Sequence, residues 1–256
     1  MDKQVTVTDR ETLIALRKTE ELYVIVSMAT RMPFVRCDEE TFDDEVLLYY
    51  RLSDAQDRSK ALNQENYLTT IVKVEEEQRL GFYTNLYVMG VNSLAVNYGT
   101  DMQTHVQLES LVTRRKPNQI PENQQIIENP ALHLTTLYFT QELRHMSTPQ
   151  PTDHLVELQE EMIAHFQSST LLVAVREDGQ TPLLKLEDGT VFQPVFTDII
   201  EFQKFDQQQG LKAAIVPSVK VAEMLVPEAK GVVINPFGVN MQLQIERAQN
   251  APKETQ

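Results

Sequence analysis

Residues 231–245 read GVVINPFGVNMQLQI, and the four residues at the centre of this stretch decide how its two ends are joined. Gly231–Asn235 is an apolar, β-branched run, and Asn240–Ile245 alternates polar and apolar residues at the period of a half-buried strand. Between them Asn235, Pro236 and Gly238 stand at positions i, i+1 and i+3 of a type I turn. The residue before a proline favours extended geometry, proline presets the next φ, and an Asn side chain bonds the backbone beyond it. The stretch therefore predicts a hairpin. A turn explains Asn235, Pro236 and Gly238 without a ligand, but an aromatic ring at a hairpin tip gains nothing unless it packs. Phe237 is thus the residue of this loop that points to recognition.

Working outward, residues 94–106 read LAVNYGTDMQTHV, so Asn, Gly, Met and Gln recur in the same order, with one extra residue assigned to the 235–238 turn. The wider C-terminal part gives a clear series. Asp153 caps a helix over 154–167 with Leu155, Leu158, Met162 and Phe166 on one stripe. TLLVAVR (170–176) is a strand, Glu177–Gln180 a turn, and PLLKLE (182–187) a second strand. Asp188-Gly189 is a hairpin signal leading into TVFQPVF (190–196). Thr197-Asp198 begins a helix carrying Ile199, Phe202 and Phe205, and LKAAIV (211–216) reads as a short buried strand. The N-terminal part repeats this plan: a helix near 9–20, then ELYVIVSM, MPFVRC and EVLLYYRL, a helix from Ser53, YLTTIVKV, a longer insertion through GFYTNLYVMG, and the second Asn turn. Internal duplication is the expectation. Between the copies, 114–128 is a polar, proline-bearing linker. Asn129-Pro130 suits an N-cap followed by proline, opening a helix over 131–146. That helix has no counterpart in the first copy, so it is expected to pack across the two copies or against another chain. The boundaries are 1–115, a linker with helix over 116–152, and 153–256.

The chain of 256 residues carries a formal charge of −14, with 14 Lys+Arg against 21 Asp+Glu in 1–130 and 9 against 16 in 131–256. Phosphate backbones and anionic lipid are bound by cationic surfaces, so nucleic acid and membrane are not expected partners. The small basic cluster Arg114-Arg115-Lys116 does not reverse this. Met1–Arg10 lacks the pattern of a secretory signal, and no apolar run approaches the roughly 20 residues that span a bilayer. Cys37 is the only cysteine, which excludes an intrachain disulfide and a cysteine-built zinc site. A cytoplasmic location is expected.

FQPVFTDIIEFQKF (192–205), followed by AAIVPSVKVAEMLVPEAKGVVINPFGVNMQL (213–243), resembles the SseB-type domain, a bacterial family named after enhanced serine sensitivity. The resemblance lies in the Pro-Val-Phe-Thr-Asp step, the short helix after Val-Pro-Ser, and Gly-Val-Val-Ile-Asn-Pro-Phe-Gly. It covers about 170–245, and the first copy matches only through the repeat. It implies an α+β fold of two tandem units, each a mixed sheet with helices packed on it, and it implies no catalytic residue.

Several residue groups invite chemistry and have simpler readings. Thr197-Asp198 and Ser53-Asp54 pair a hydroxyl with a carboxylate, yet both suit helix caps, Ser53-x-x-Gln56 forming a capping box. Glu142-x-x-His145 has a dimetal spacing without the further ligands such a site needs, and Glu161 with His165 supplies only two. The acidic loop 38–45 lacks the glycine and alternation of a calcium loop. Cys37 precedes acids that raise a thiol pKa. No nucleophile elbow, phosphate loop, dinucleotide fingerprint or His-Glu-x-x-His string is present. The expectation is a non-enzymatic protein-interaction or regulatory protein without cofactor or metal. Its candidate surface is Phe237, Asn235, Pro236, Gly238, Asp198 and Phe196, and its partner another protein or itself. The alternatives are amino acid sensing, which leaves room for a small-molecule ligand, and a hydrolase or transferase with a site between the two copies.

Overall fold

A computed structural model describes residues 7–113, 125–145 and 152–246. The basic cluster 114–116, most of the 114–128 linker, and 147–151 lie outside the described residues. The chain divides into two units. The first comprises 1–126 and 133–159, the second 127–132 and 160–256.

In the first unit the elements are α1 (Val7–Lys18), β1 (Tyr23–Ser27), β2 (Val35–Cys37), β3 (Asp44–Tyr49), α2 (Leu52–Gln64), β4 (Thr69–Lys73), α3 (Arg79–Val88), β5 (Ser93–Val96) and β6 (Thr104–Gln107). From His133 onward, α4 (Pro130–His145) belongs to this unit as well. Its sheet runs β4-β1-β3-β5-β6, with β2 added to β3. β3 and β5 are parallel, and the other pairs are antiparallel. The central strands are buried on both faces, which is why YVIVS, EVLLY and SLAV are almost continuously apolar. Ile25, Leu47, Tyr49 and Ala95 form one face, covered by Ala55 and Leu62 of α2.

The second unit follows with α5 (Asp153–Ser168, inside this unit from Glu160), β7 (Thr170–Val175), β8 (Leu184–Lys185), β9 (Val191–Phe196), α6 (Ile199–Phe205), β10 (Lys212–Pro217), α7 (Val221–Met224), β11 (Ala229–Ile234) and β12 (Met241–Gln244). Its order is β10-β7-β9-β11-β12, with β8 added to β9, and β9 and β11 are the parallel pair. Leu172, Ala174 and Phe196 pack on Phe202 of α6, together with Ile127. The two sheets thus share strand order and the position of their parallel pair. The N-terminal insertion is α3, which stands between β4 and β5 where the shorter α7 stands between β10 and β11.

Three expectations change. LKAAIV is an edge strand, not a buried one: of β10 only Val216 is buried, because β7 occupies one side and none of the described residues pairs on the other. The first Asn loop is longer than the second, the reverse of the expected insertion. Strand register sets Thr104 opposite Val96 where Met241 is opposite Ile234, so Met102-Gln103 does not correspond to Met241-Gln242.

The third change concerns α4, whose side chains from His133 onward bond within the first unit. The Gln141 side-chain amide donates to Val35 O at 3.0 Å and accepts from Val35 N at 3.1 Å, acting as a strand partner for the open edge of β2. Tyr138 Oη donates to Asp44 at 2.8 Å, and Arg144 Nη1 donates to Ala29 O at 2.5 Å. Leu137 is fully buried and Phe139 nearly so. The apolar side of this helix is therefore no argument for a partner chain. Asn129, at the start of the helix, donates its amide to the carbonyls of Thr170 and Thr197. No helix of the described residues is long and apolar enough to cross a membrane.

Gly231 lies where the β9–β11 register shifts, and a Cβ there would collide with the backbone of Leu243 and Gln244 on β12. Backbone cannot yield as a side chain can. Gly231→Ala is expected to lower stability by about 1–3 kcal/mol in urea unfolding. Gly210→Ala, with open space around its Cβ, should stay within about 0.5 kcal/mol.

Candidate functional site

The hairpin between β11 and β12 forms as expected, but Asn235 is not extended. Its φ is +48°, in the left-handed region that Asn tolerates better than most residues. What holds it there is tertiary. Asn235 Oδ1 accepts from Thr197 N at 3.0 Å, and its Nδ2 donates to Thr197 Oγ1 at 2.8 Å. Its backbone N–H bonds Val195 O at 3.0 Å, and its carbonyl accepts from Gly238 and Asn240. Asn235 thereby ties the end of β11 to the strand-to-helix step after β9.

Asp198 is the N-cap of α6. Its Oδ1 accepts from the backbone N–H of Ile200 and Glu201 at 2.9 and 3.0 Å, and Thr197 Oγ1 donates to Oδ2 at 2.7 Å. Asp198 and Asn235 do converge, as a hydrolytic reading would need, but on backbone amides and on one buried hydroxyl. Beside them Glu201 is buried, with Oε1 bonded to Lys204 and Oε2 tucked against Gly238, where a Cβ would collide with it. Phe196 is fully buried, and Phe202 meets it edge-on at 5.4 Å.

Phe237 alone of the candidate residues reaches out, with 57% of its surface exposed. Its ring packs on Phe205 at 5.8 Å, and Phe205 packs on Phe196 at 5.3 Å, so a row of aromatics runs from core to surface. Phe205 and Phe237 line an open groove of about 770 Å³ together with Pro182, Leu211, Arg176 and Glu177. Asp206 also lines it, its carboxylate accepting from Gly210 N and Leu211 N. By sequence Phe205 is only an apolar helix position, Arg176 the end of a strand and Glu177 the start of a turn. Their convergence depends on β7 lying beside β9.

The first unit has the same Asn device. Asn97, at φ +52°, accepts from Tyr50 N at 3.1 Å and donates its N–H to Leu48 O at 2.7 Å. The helix start differs. The N-cap of α2 is Arg51, without a side-chain cap, so Ser53-Asp54 lies inside the helix and forms no capping box. Ser53 Oγ donates to Asp54 instead. The offset arises because the helix begins three residues after each strand, which puts Arg51, not Ser53, in the place of Asp198.

Three potential metal ligands, Asp38, Glu45 and His105, bring donor atoms within 4.8 Å of one another. His105 was not singled out by spacing, since it reaches Glu45 only through the β5–β6 pairing. Gly99 N–H donates to Gln103 Oε1, so the Gln103 amide donates to His105 Nε2, and Nδ1–H donates to Glu45 at 2.5 Å. Ser93 Oγ donates to the same carboxylate, and the Arg36 guanidinium lies 3.5 Å from Glu45 and 3.6 Å from Asp38. A cation is already supplied there by Arg36. Glu142 and His145 are likewise engaged: Tyr67 Oη donates to Glu142, and the Tyr67 ring stacks on His145 at 4.4 Å. Glu161 and His165 meet at 3.2 Å on the exposed side of α5.

Asn235→Ala should cost about 2–3 kcal/mol, since it removes two buried bonds and leaves a left-handed residue without compensation. Asp198→Ala should cost about 1–2 kcal/mol as a lost cap, and Ser53→Ala no more than about 0.5 kcal/mol. Equal losses for Asp198 and Ser53 in urea titrations would contradict the cap assignment. Cys37 is exposed, yet partial burial and then Asp44 and Asp38 raise its pKa. A raised pKa leaves less thiolate at a given pH, so alkylation at pH 8 should be slower in the folded chain than in urea.

Against known proteins, residues 154–249 match the SseB protein N-terminal domain. No curated protein matches the chain. Among solved structures, the chain aligns with Tic22 of Anabaena, described as a protein of protein transport, at 11% identity over 87% of this chain and 91% of that one, with a TM-score of 0.22. Tic22 from Plasmodium falciparum aligns at 11% identity over 86% and 88%, also with a TM-score of 0.22. Both scores are too low for an inference about fold or activity. The family match takes in α6, the Thr197–Asp198 step and the Asn235–Gly238 turn.

Proposed function

We propose that the chain is a non-enzymatic protein-interaction module whose second unit presents the groove beside Phe237 to a partner protein. The observation that carries this reading is the contrast within one turn. Asn235 and Gly238 are buried, while Phe237 between them is more than half exposed and backed by Phe205 and Phe196. A rigid aromatic anchor beside a groove is the feature that concentrates binding energy at protein interfaces. The network of Thr197, Asp198 and Asn235 supports the same reading from the other side. Its polar atoms hold a helix start and a chain reversal, which is the use expected of a scaffold.

Phe237→Ala should change the unfolding free energy by no more than about 0.5 kcal/mol, because more than half of the ring is exposed. It should lose the proteins that wild type captures, by quantitative affinity capture from cell extract with both variants at equal concentration. Light scattering on the eluted chain separates a foreign partner from a second copy. A variant that is folded and captures the same set at the same level would reject the groove as the interaction surface.

A further inference from the structure

The two sheets provide an internal comparison of what lies against the aromatic ring of each Asn turn. In the first unit that ring is Tyr98, and two guanidinium groups face it, Arg36 at 4.3 Å and Arg58 at 5.2 Å from its centroid. Arg36 is held from its other side by Asp38 and Glu45. A cation between an aromatic face and carboxylates is favourable on both counts, through the ring quadrupole and through ion pairing.

Register locates the same two positions in the second unit. Arg58 is the seventh residue of α2, and Phe205 is the seventh of α6. Arg36 on β2 pairs with Glu45, three residues before the Leu48 that faces Val96 across the parallel pair. Leu184 on β8 pairs with Phe192, three residues before the Val195 that faces Ile234. Both arginines of the first unit are thus replaced by apolar residues, Leu184 and Phe205. The turn ring, here Phe237, is left exposed at the open groove. Glu177 and Asp206 line this groove with one cation, Arg176, and the whole chain carries −14.

From this we infer that the groove takes an arginine-bearing segment of the partner protein, the incoming guanidinium lying on Phe237 and Phe205 and facing Glu177. The inference rests on the interaction reading above and adds the chemistry of the occupant. The first unit carries its own cations on the face of its turn ring, and the turn ring of the second takes one from outside. An acidic chain also draws a cationic segment toward it before contact.

The test uses the full chain with labelled phenylalanine rings, titrated with a capped peptide containing two arginines and with the same peptide carrying citrulline, which keeps the shape and removes the charge. The arginine peptide should shift the Phe205 and Phe237 ring signals saturably. The citrulline peptide should bind about tenfold more weakly. Glu177→Gln should weaken the arginine peptide several-fold and leave the citrulline peptide unchanged, and Phe237→Ala should remove the response. Equal binding of the two peptides, or shifts away from the groove, or none at all, would overturn the cationic occupant. The capture experiment with Phe237→Ala would still stand by itself, because it does not depend on the charge of what is bound.

Discussion

In each unit the structure turns on one backbone event: an asparagine that leaves the central parallel pair in the left-handed conformation and clasps the neighbouring strand. Asn97 and Asn235 have φ of +52° and +48°, and each accepts through Oδ1 from the backbone N–H that follows the adjacent strand. A non-glycine residue in this region is strained unless its surroundings hold it. Here the same side chain that tolerates the strain supplies the bonds that compensate it. The clasp closes the end of the parallel pair, directs the chain back as an antiparallel edge strand, and sets where the next helix begins.

The rest follows in the second unit. With the strand end anchored, Asp198 is placed to cap α6, and α6 brings Phe202 onto the core and Phe205 to its margin. The turn then carries Phe237 out against Phe205. The interaction surface proposed above is rigid, since the exposed ring stands on packed aromatics and Asn235 and Gly238 beneath it are buried. Such a surface loses little conformational entropy on binding. The first unit uses the same frame differently: its turn ring is covered by Arg36 and Arg58, and its N-cap position is an arginine.

Much of the fold was legible in the residues. Asp188-Gly189 marked its hairpin, and Gly189 has a φ of +85° there. The continuous apolar runs marked the central strands, and the Leu155–Phe166 stripe marked α5. The SseB resemblance over about 170–245 agrees with the family match over 154–249. The two sheets share strand order, and register sets Thr104, not Met102, at the place of Met241. What failed did so for stated physical reasons. Local rules placed Asn235 in extended geometry because of Pro236, and bonds to Thr197, 38 residues away, overrode them. Ser53 looked like a cap by residue type, but the helix start is set by the strand before it. The apolar stripe of α4 said that the helix must be covered and was silent on what covers it.

The sequence by itself determined which segments form strands, where the chain reverses, and that Asp198 would begin a helix, because these depend on side-chain type at short spacing. Only the tertiary structure decided that α4 lies on the first unit, that β10 is an edge, and that Phe205, Phe237, Arg176 and Glu177 share one groove. Those outcomes depend on which strands become neighbours, and neighbours distant in the chain are selected by the packing of whole surfaces, which no local pattern of residues encodes.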